Sequence, residues 1–480
     1  MKHRRPGKFD YNLAVLGAGS AGLVSAYIGA AVQARVALIE SGKMGGDCLN
    51  TGCVPSKALI AAAKHFHHAR NGGQFGIHCD NAMVDFTRVM TRVREAITQI
   101  EPNDSVERYR ALGVDCISGH GMLLDPWTIR VGERSISAKN IILATGAEPA
   151  IPPIPGLDDI DYLTSNNLWE LQSLPRRLAI LGGGPIGCEL AQAFARLGSD
   201  ITVVEMQDRL LGSEDEDVGT ILRAELEKEG VRVLTDTRAT QVQDGSLLVE
   251  QPHQRLEIGF DQLLVATGRK PRTNGLGLEN IGLEFEPHRP LAVNGFLQTN
   301  HPHIFACGDL TGPYQFTHAA SHQAWHAVVN ALFRPFKKFR VDYSHLPWTV
   351  YTEPEIARVG LNEGEAKNRD IAYEVTRVEF SELDRAITEG QTGGFIKLLT
   401  VPGRDRLLGA TVVGSNAGEM IVTLTMAMKF NIGLNRLLGL IVPYPGWNEG
   451  IKRAAGSWKR SHAPAWIMPW LQRYHRWNRK

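Results

Sequence analysis

The chain has 480 residues, 43% hydrophobic and 21% charged, enough for about three domains with sizeable cores and unlike a disordered chain. With 52 Lys and Arg against 51 Asp and Glu, bulk charge excludes a dedicated nucleic-acid binder. Six cysteines are too few for a disulfide scaffold, and 49 glycines without a collagen period point to tight turns and phosphate loops.

Residues 11–34 carry no charge and follow a basic start at Lys2, His3, Arg4 and Arg5, the superficial pattern of a signal peptide or spanning helix. Glycines at 17, 19, 22 and 29 and the preceding Asp10 favour strand–turn–helix instead. Leu13–Leu16 is read as a strand, a helix is expected to about Ala34, and Val36–Ile39 is a second strand ending in Glu40. No other run reaches the roughly 18 apolar residues a span needs. Between strand and helix lies Gly17-x-Gly19-x-Ala21-Gly22. Glycines there permit the turn, let the backbone approach a pyrophosphate, and allow helix to pack on strand. The helix N-terminus then faces the phosphates, and Glu40 is placed to hold ribose hydroxyls.

The next signal is Gly45-Gly46-Asp47-Cys48-Leu49-Asn50-Thr51-Gly52-Cys53-Val54-Pro55-Ser56-Lys57. A zinc site lacks its second cysteine pair, because Cys79, Cys116, Cys188 and Cys307 are scattered singly. A redox pair fits better. Cys53 stands where a helix is expected to begin, with Pro55 in its first turn, and a helix N-terminus favours thiolate. Lys57 falls four residues later, on the same face.

The nucleotide pattern then returns. Leu178–Leu181 leads into Gly182-x-Gly184-x-x-Gly187, and Ile201–Val204 ends at Glu205. Each copy also has an echo, Ala144-Thr145-Gly146 and Ala266-Thr267-Gly268. A duplicated dinucleotide-binding module implies electron transfer between two dinucleotides, a nicotinamide and a flavin being the obvious pair. Glu205 accepts ribose hydroxyls and repels a 2′-phosphate, which favours NAD. Arg209, four residues on, keeps NADP as the alternative.

The segment Cys48–Lys57 resembles the class I pyridine nucleotide–disulfide oxidoreductases, a family that includes dihydrolipoamide dehydrogenase, glutathione reductase, mercuric reductase and soluble transhydrogenase. The resemblance extends over about residues 10–455. It implies an α/β fold with two doubly wound dinucleotide-binding domains, for FAD and NAD(P), and a C-terminal α+β dimerisation domain. The implied division is 10–156 for the first part of the FAD domain, 157–276 for NAD(P), 277–342 for a central part that completes the FAD site, and 343–456 for dimerisation. By the same resemblance Cys48 and Cys53 form a redox-active disulfide, with Cys53 nearer the flavin and Cys48 facing the acceptor. Lys57 sits near the flavin's reactive nitrogen and pairs with Glu189; on the residues alone that pair reads as a surface ion pair. Ala306-Cys307-Gly308-Asp309 resembles the second FAD site, whose Asp binds the ribityl chain, and Thr317-His318-Ala319-Ala320 the start of a helix facing the flavin ring. Thr145, Gly146 and Gly268 join the implied cofactor contacts. Residues 385–419, with Ala386-Ile387-Thr388-Glu389-Gly390 and Gly409-Ala410-Thr411-Val412-Val413-Gly414, resemble the interface domain of a homodimer.

The family pattern breaks near the end. Its thiol-reducing members carry a His-Pro-Thr-x-x-Glu box, which the partner subunit supplies. This chain reads Tyr444-Pro445-Gly446-Trp447-Asn448-Glu449. Tyrosine's ordinary pKa of about 10 makes it a weak general base. Tyr444 therefore donates a proton or binds a ligand, or simply packs at the dimer interface. Dihydrolipoamide and glutathione become poor substrate choices. Tyrosine at this point also resembles mercuric reductase, but the last cysteine is Cys307, so that enzyme's C-terminal cysteine pair is missing, as is its leading metal-binding domain.

The expectation is a cytoplasmic FAD enzyme that passes electrons from NAD(P)H through Cys48–Cys53 to an unidentified small-molecule acceptor, with no resident metal. A diaphorase, quinone reductase or transhydrogenase-like enzyme acting directly from the flavin is the first alternative. A flavin-stabilised dimeric scaffold without turnover is the second. Residues 457–480 hold no Asp or Glu, six Lys or Arg, and Trp458, Trp466, Trp470 and Trp477. Helical spacing puts Trp466, Ile467, Trp470, Leu471, Tyr474 and Trp477 on one face. The tail is expected either to pack over the dimer or to lie on an anionic membrane surface.

Overall fold

Strands Val114–Ser118, Val36–Glu40, Tyr11–Leu16 and Arg134–Leu143 run parallel in that order, and Ile304–Ala306 joins Arg134–Leu143 in parallel. Strands Thr128–Val131 and Gly121–Asp125 extend the same sheet in antiparallel fashion. The computed structural model describes residues 5–79, 81–287, 289–334 and 336–479. Its internal contacts form two units, one of residues up to Gln207 with Glu229–Asp342, the other of Asp208–Lys228 with the chain from Tyr343 onward. The expected α/β class with an α+β C-terminal domain is found.

The first unit holds both nucleotide modules. Leu13 and Val15 point to one side of the first sheet, Ala14 and Leu16 to the other, and all four are buried, as in a sheet covered on both faces. Helix Ser20–Ala31 follows the first loop, and it stops three residues before the expected end. Gln33 takes a φ of +63°, which breaks the helix, so that Arg35 O can accept from Asn12 N and open the next strand. The second module repeats the plan with a four-stranded parallel sheet, in the order Arg232–Leu234, Asp200–Val204, Arg177–Leu181, Gln262–Val265. The two Ala-Thr-Gly echoes meet. Ala147–Pro149 pairs antiparallel with Arg269–Pro271, Thr145 Oγ1 donates to Arg272 O at 2.8 Å, and Thr267 Oγ1 donates to Ala150 O at 2.8 Å.

The second unit is a five-stranded antiparallel sheet, in the order Pro347–Val350, Ile356–Gly360, Leu407–Val413, Phe395–Thr400, Glu374–Glu379. Helices Ala417–Lys429 and Glu449–Ser461 cover its core. Segment Asp208–Lys228 belongs here because of buried charge. Lys397 Nζ lies 2.7 Å from Asp215, 3.0 Å from Asp217 and 3.0 Å from Glu363. Arg358 pairs with Glu214 at 3.0 Å and lies over the Trp348 ring, whose indole N–H donates to Glu214. Removing one partner of such a cluster strands the other charges. Lys397→Ala is expected to cost about 3–5 kcal/mol in chemical denaturation. A loss below about 1 kcal/mol would show that the carboxylates relax into solvent.

Candidate active site

Gly45 and Gly46 both have positive φ, and a β-carbon at Gly46 would lie 2.6 Å from Gly19 Cα. Only glycine lets the short helix Gly46–Asn50, which carries Cys48, pack directly on the first nucleotide loop. Helix Cys53–Arg70 begins at Cys53 with Pro55 in its first turn, as its sequence dictates. The two thiols are hydrogen-bonded to each other, and Cys53 Sγ lies 3.4 Å from Thr317 Oγ1, at the start of helix Thr317–Phe333.

This arrangement splits the pair. The hydrogen bond from Cys48 draws the Cys53 thiol down to about 6; burial opposes this, while Thr317 and the Lys57 ammonium assist. Cys48 is pushed far up, first by the same hydrogen bond and then by burial. Cys53 is thus the thiolate at neutral pH and Cys48 the thiol. In the reduced protein, alkylation of Cys53 by iodoacetamide should rise through about pH 6 and level off above it. A rise only near ~8.5, the ordinary cysteine value, would contradict the assignment.

Lys57 Nζ lies 2.7 Å from Glu189 Oε2, and Glu189 is buried, so this is not a surface ion pair. Glu189 sits on helix Pro185–Leu197, which opens on the second nucleotide loop. Behind it, Arg196 and Glu229 form a buried pair at 2.7 Å, and Gln192 also donates to Glu229. Sequence reading gave no sign of Arg196 or Glu229.

The nucleotide loops fit their ligands by what their glycines leave open. A β-carbon at Gly17 would lie 2.4 Å from Ala144 O, and one at Gly22 1.8 Å from Gly17 O. Gly182 and Gly187 repeat this, at 2.5 Å from Ala266 O and 2.0 Å from Gly182 O. The middle glycines lack any such constraint. A β-carbon would meet nothing nearer than 3.7 Å at Gly19 and nothing within 4 Å at Gly184, and both φ values are ordinary. Open space above a helix N-terminus is what a pyrophosphate needs in order to reach the backbone.

Each acid after the loop has two backbone donors. Glu40 accepts from Ala18 N at 2.5 Å and Gly42 N at 2.7 Å; Glu205 accepts from Gly183 N at 2.6 Å and Gln207 N at 2.7 Å. Asp309, where the resemblance implies a ribityl contact, is pushed up by burial and held by Arg269 Nε at 3.6 Å. Arg269 also pairs with Asp47, which joins the Asp309 segment to the short helix that carries Cys48. Sequence reading missed Arg269 and Asp47, although Arg269 directly follows the echo glycine Gly268. Thr145's hydroxyl is engaged by Arg272 O, Gly146 and Gly268 have positive φ, and His318 stacks on Phe316. Ala21 and Ala319 are buried.

Tyr444 and Glu449 lie in the second unit. Tyr444 is exposed, and its hydroxyl donates to Asp384 Oδ2 at 2.9 Å, a partner the sequence did not reveal. Glu449 accepts a long bond, 3.4 Å, from Gly446 N.

Two family models match the chain, "Pyridine nucleotide-disulphide oxidoreductase" over residues 11–324 and the dimerisation domain of the same family over 346–455. The chain belongs to the pyridine nucleotide-disulphide oxidoreductase family. Relatives in the family include a mercuric reductase of Bacillus cereus, 34% identical over 93% of this chain and 71% of that one. A dihydrolipoyl dehydrogenase of Chlamydia pneumoniae is 34% identical over 92% and 96%. Among solved family structures, a Cu(II) complex of the HOCl-induced flavoprotein disulfide reductase RclA from Escherichia coli has a TM-score of 0.82 at 28% identity, over 93% of this chain and 99% of that one. LpdA from Mycobacterium tuberculosis has a TM-score of 0.84 at 27% identity, over 92% and 98%. The protein is accordingly an NAD(P)H-dependent FAD disulfide oxidoreductase and a homodimer. Among the described residues, no helix is long and apolar enough to cross a membrane.

Proposed function

We propose that the enzyme takes electrons from NADH and delivers them through Cys48 and Cys53 to a thiophilic metal cation rather than to an organic disulfide. The observation that carries this reading is Tyr444 standing, hydrogen-bonded to Asp384, where disulfide-reducing relatives place an imidazole. Reducing an organic disulfide requires a proton for the departing thiolate, and a phenol with a pKa raised by Asp384 is poorly matched to deliver and retrieve it. A metal ion held by thiolates needs no such proton. Two cysteine thiolates become one disulfide and release two electrons, which reduce one Hg(II) to Hg(0) or two Cu(II) to Cu(I). Two of the named relatives, mercuric reductase and a Cu(II)-complexed RclA, support this reading, whereas the dihydrolipoyl dehydrogenase is the relative from which the Tyr444 position separates this chain.

FAD, when bound, relays the electrons of the nicotinamide to the cysteine pair. The chain's own residues do the rest. Gly17, Gly19, Gly22 and Glu40 hold the flavin nucleotide together with Asp309, and Gly182, Gly184, Gly187 and Glu205 hold the nicotinamide nucleotide. Cys53 supplies the stable thiolate, Lys57 with Glu189 fixes a positive charge beside it, and Cys48 meets the acceptor. NADH is favoured over NADPH because Glu205 repels a 2′-phosphate. A cytoplasmic site of action follows from the supply of reduced nicotinamide.

The test is anaerobic reduction with NADH or NADPH, followed by stopped-flow reoxidation with Hg(II), Cu(II), lipoamide, glutathione disulfide and quinones. The metal ions should reoxidise the enzyme fastest. Lipoamide outpacing both metals would overturn the reading, and quinones outpacing both would favour direct transfer from the flavin.

A further inference from the structure

The dimerisation match ends at residue 455, and the chain continues. Helix Glu449–Ser461 seats Trp458 in the core. His462 then stacks on Trp458 at 4.2 Å and bonds Glu374 Oε2 at 2.8 Å, which fixes the end of that helix. Past Pro464 the character changes. Helix Ile467–Asn478 buries none of its residues. Trp470, Tyr474 and Trp477 are 56%, 42% and 70% exposed, with Trp466 and Met468 exposed beside them.

At about 100° per residue, Trp470, Tyr474 and Trp477 form one arc and Ile467, Leu471 and Met468 continue it, while Arg473, Arg476 and Arg479 fill the remaining side. The aromatic rings touch, Trp470 lying parallel to Tyr474 at 5.7 Å and Tyr474 tilted to Trp477 at 6.4 Å. No Asp or Glu occurs from 457 to 480. Among the described residues nothing covers these rings, and the segment lies outside the matched dimerisation domain.

We infer that helix Ile467–Asn478 docks the enzyme on an anionic membrane surface. Charge complementarity selects this occupant. Three arginines with no opposing acid suit lipid phosphates, and amphipathic indole and phenol rings suit the headgroup layer. The helix lies in the surface plane and does not span it.

The experiment is flotation of the FAD-loaded, full-length dimer with phosphatidylcholine vesicles, with and without phosphatidylglycerol, at low and high salt. The protein should float with the anionic vesicles at low salt, and high salt should lower the bound fraction roughly tenfold. W470S/W477S and R473E/R476E, all at exposed positions, should each cut binding by about tenfold or more while NADH oxidation with a soluble acceptor is kept. No flotation with anionic vesicles at low salt would overturn the inference, and so would equal flotation with neutral ones. A shift of either variant from dimer to monomer would overturn it too, because the helix would then be covering the partner subunit.

Discussion

Replacing Tyr444 by histidine is expected to raise dihydrolipoamide oxidation by roughly 10²–10⁴-fold, the usual worth of a positioned acid–base group. The phenol donates to Asp384 Oδ2 at 2.9 Å, and that hydrogen bond and the Asp384 charge push its pKa above the ordinary tyrosine value. At neutral pH it stays protonated and takes no proton from a substrate thiol. An imidazole titrates near ~6.5. Glu449, which among the described residues accepts a long 3.4 Å bond from Gly446 N, is placed to orient it. The gain should appear in kcat/KM and fall away as pH drops below the imidazole's pKa. Tyr444→Phe should leave the low wild-type rate within about twofold, since no proton transfer is lost. Fast wild-type turnover of dihydrolipoamide, unaltered by Tyr444→Phe, would show that another base serves the thiol.

Serine at either cysteine should reduce metal-ion reduction by on the order of 10³-fold or more, because the two sulfurs act as a unit. The variants separate by colour. Cys48→Ser leaves the Cys53 sulfur beside Thr317 and Lys57, unable to form the disulfide, and should show long-wavelength thiolate–flavin absorption without added reductant. Cys53→Ser should lack that band. Quinone reduction should survive in both, because it bypasses sulfur. Wild-type metal reduction in both variants would remove the dithiol from the reaction.

What was legible in the sequence was local. Glycine spacing with an acid at the end of the next strand marks a nucleotide loop because turn, helix start and ribose contact lie within one strand–helix–strand unit. Cys53 at a helix start was legible for the same reason, with Pro55 as punctuation. The partners that tune these groups were not. Thr317 reaches Cys53 from 264 residues away, Asp384 reaches Tyr444 from 60, and Arg269 reaches Asp47 from 222. Long-range pairs leave no period in the chain. Segment Asp208–Lys228 follows the nucleotide pattern in sequence, yet its carboxylates are claimed by Lys397 and Arg358. The helix expected to reach Ala34 ended at Ala31, where a positive φ at Gln33, invisible to apolar spacing, turned the chain.

Glu205 stands in a double bind. Its carboxylate holds Gly183 N and Gln207 N, so the group proposed to choose the cofactor also staples the loop proposed to grip the cofactor's phosphates. Glu40 is committed in the same way to Ala18 and Gly42. On the proposed assignment, cofactor preference and loop architecture are therefore inherited together. An engineer who trades Glu205 for a residue friendly to NADPH frees two backbone amides and slackens the cradle for either coenzyme. A change of coenzyme in this scaffold requires a compensating acceptor for Gly183 N before any arginine is added.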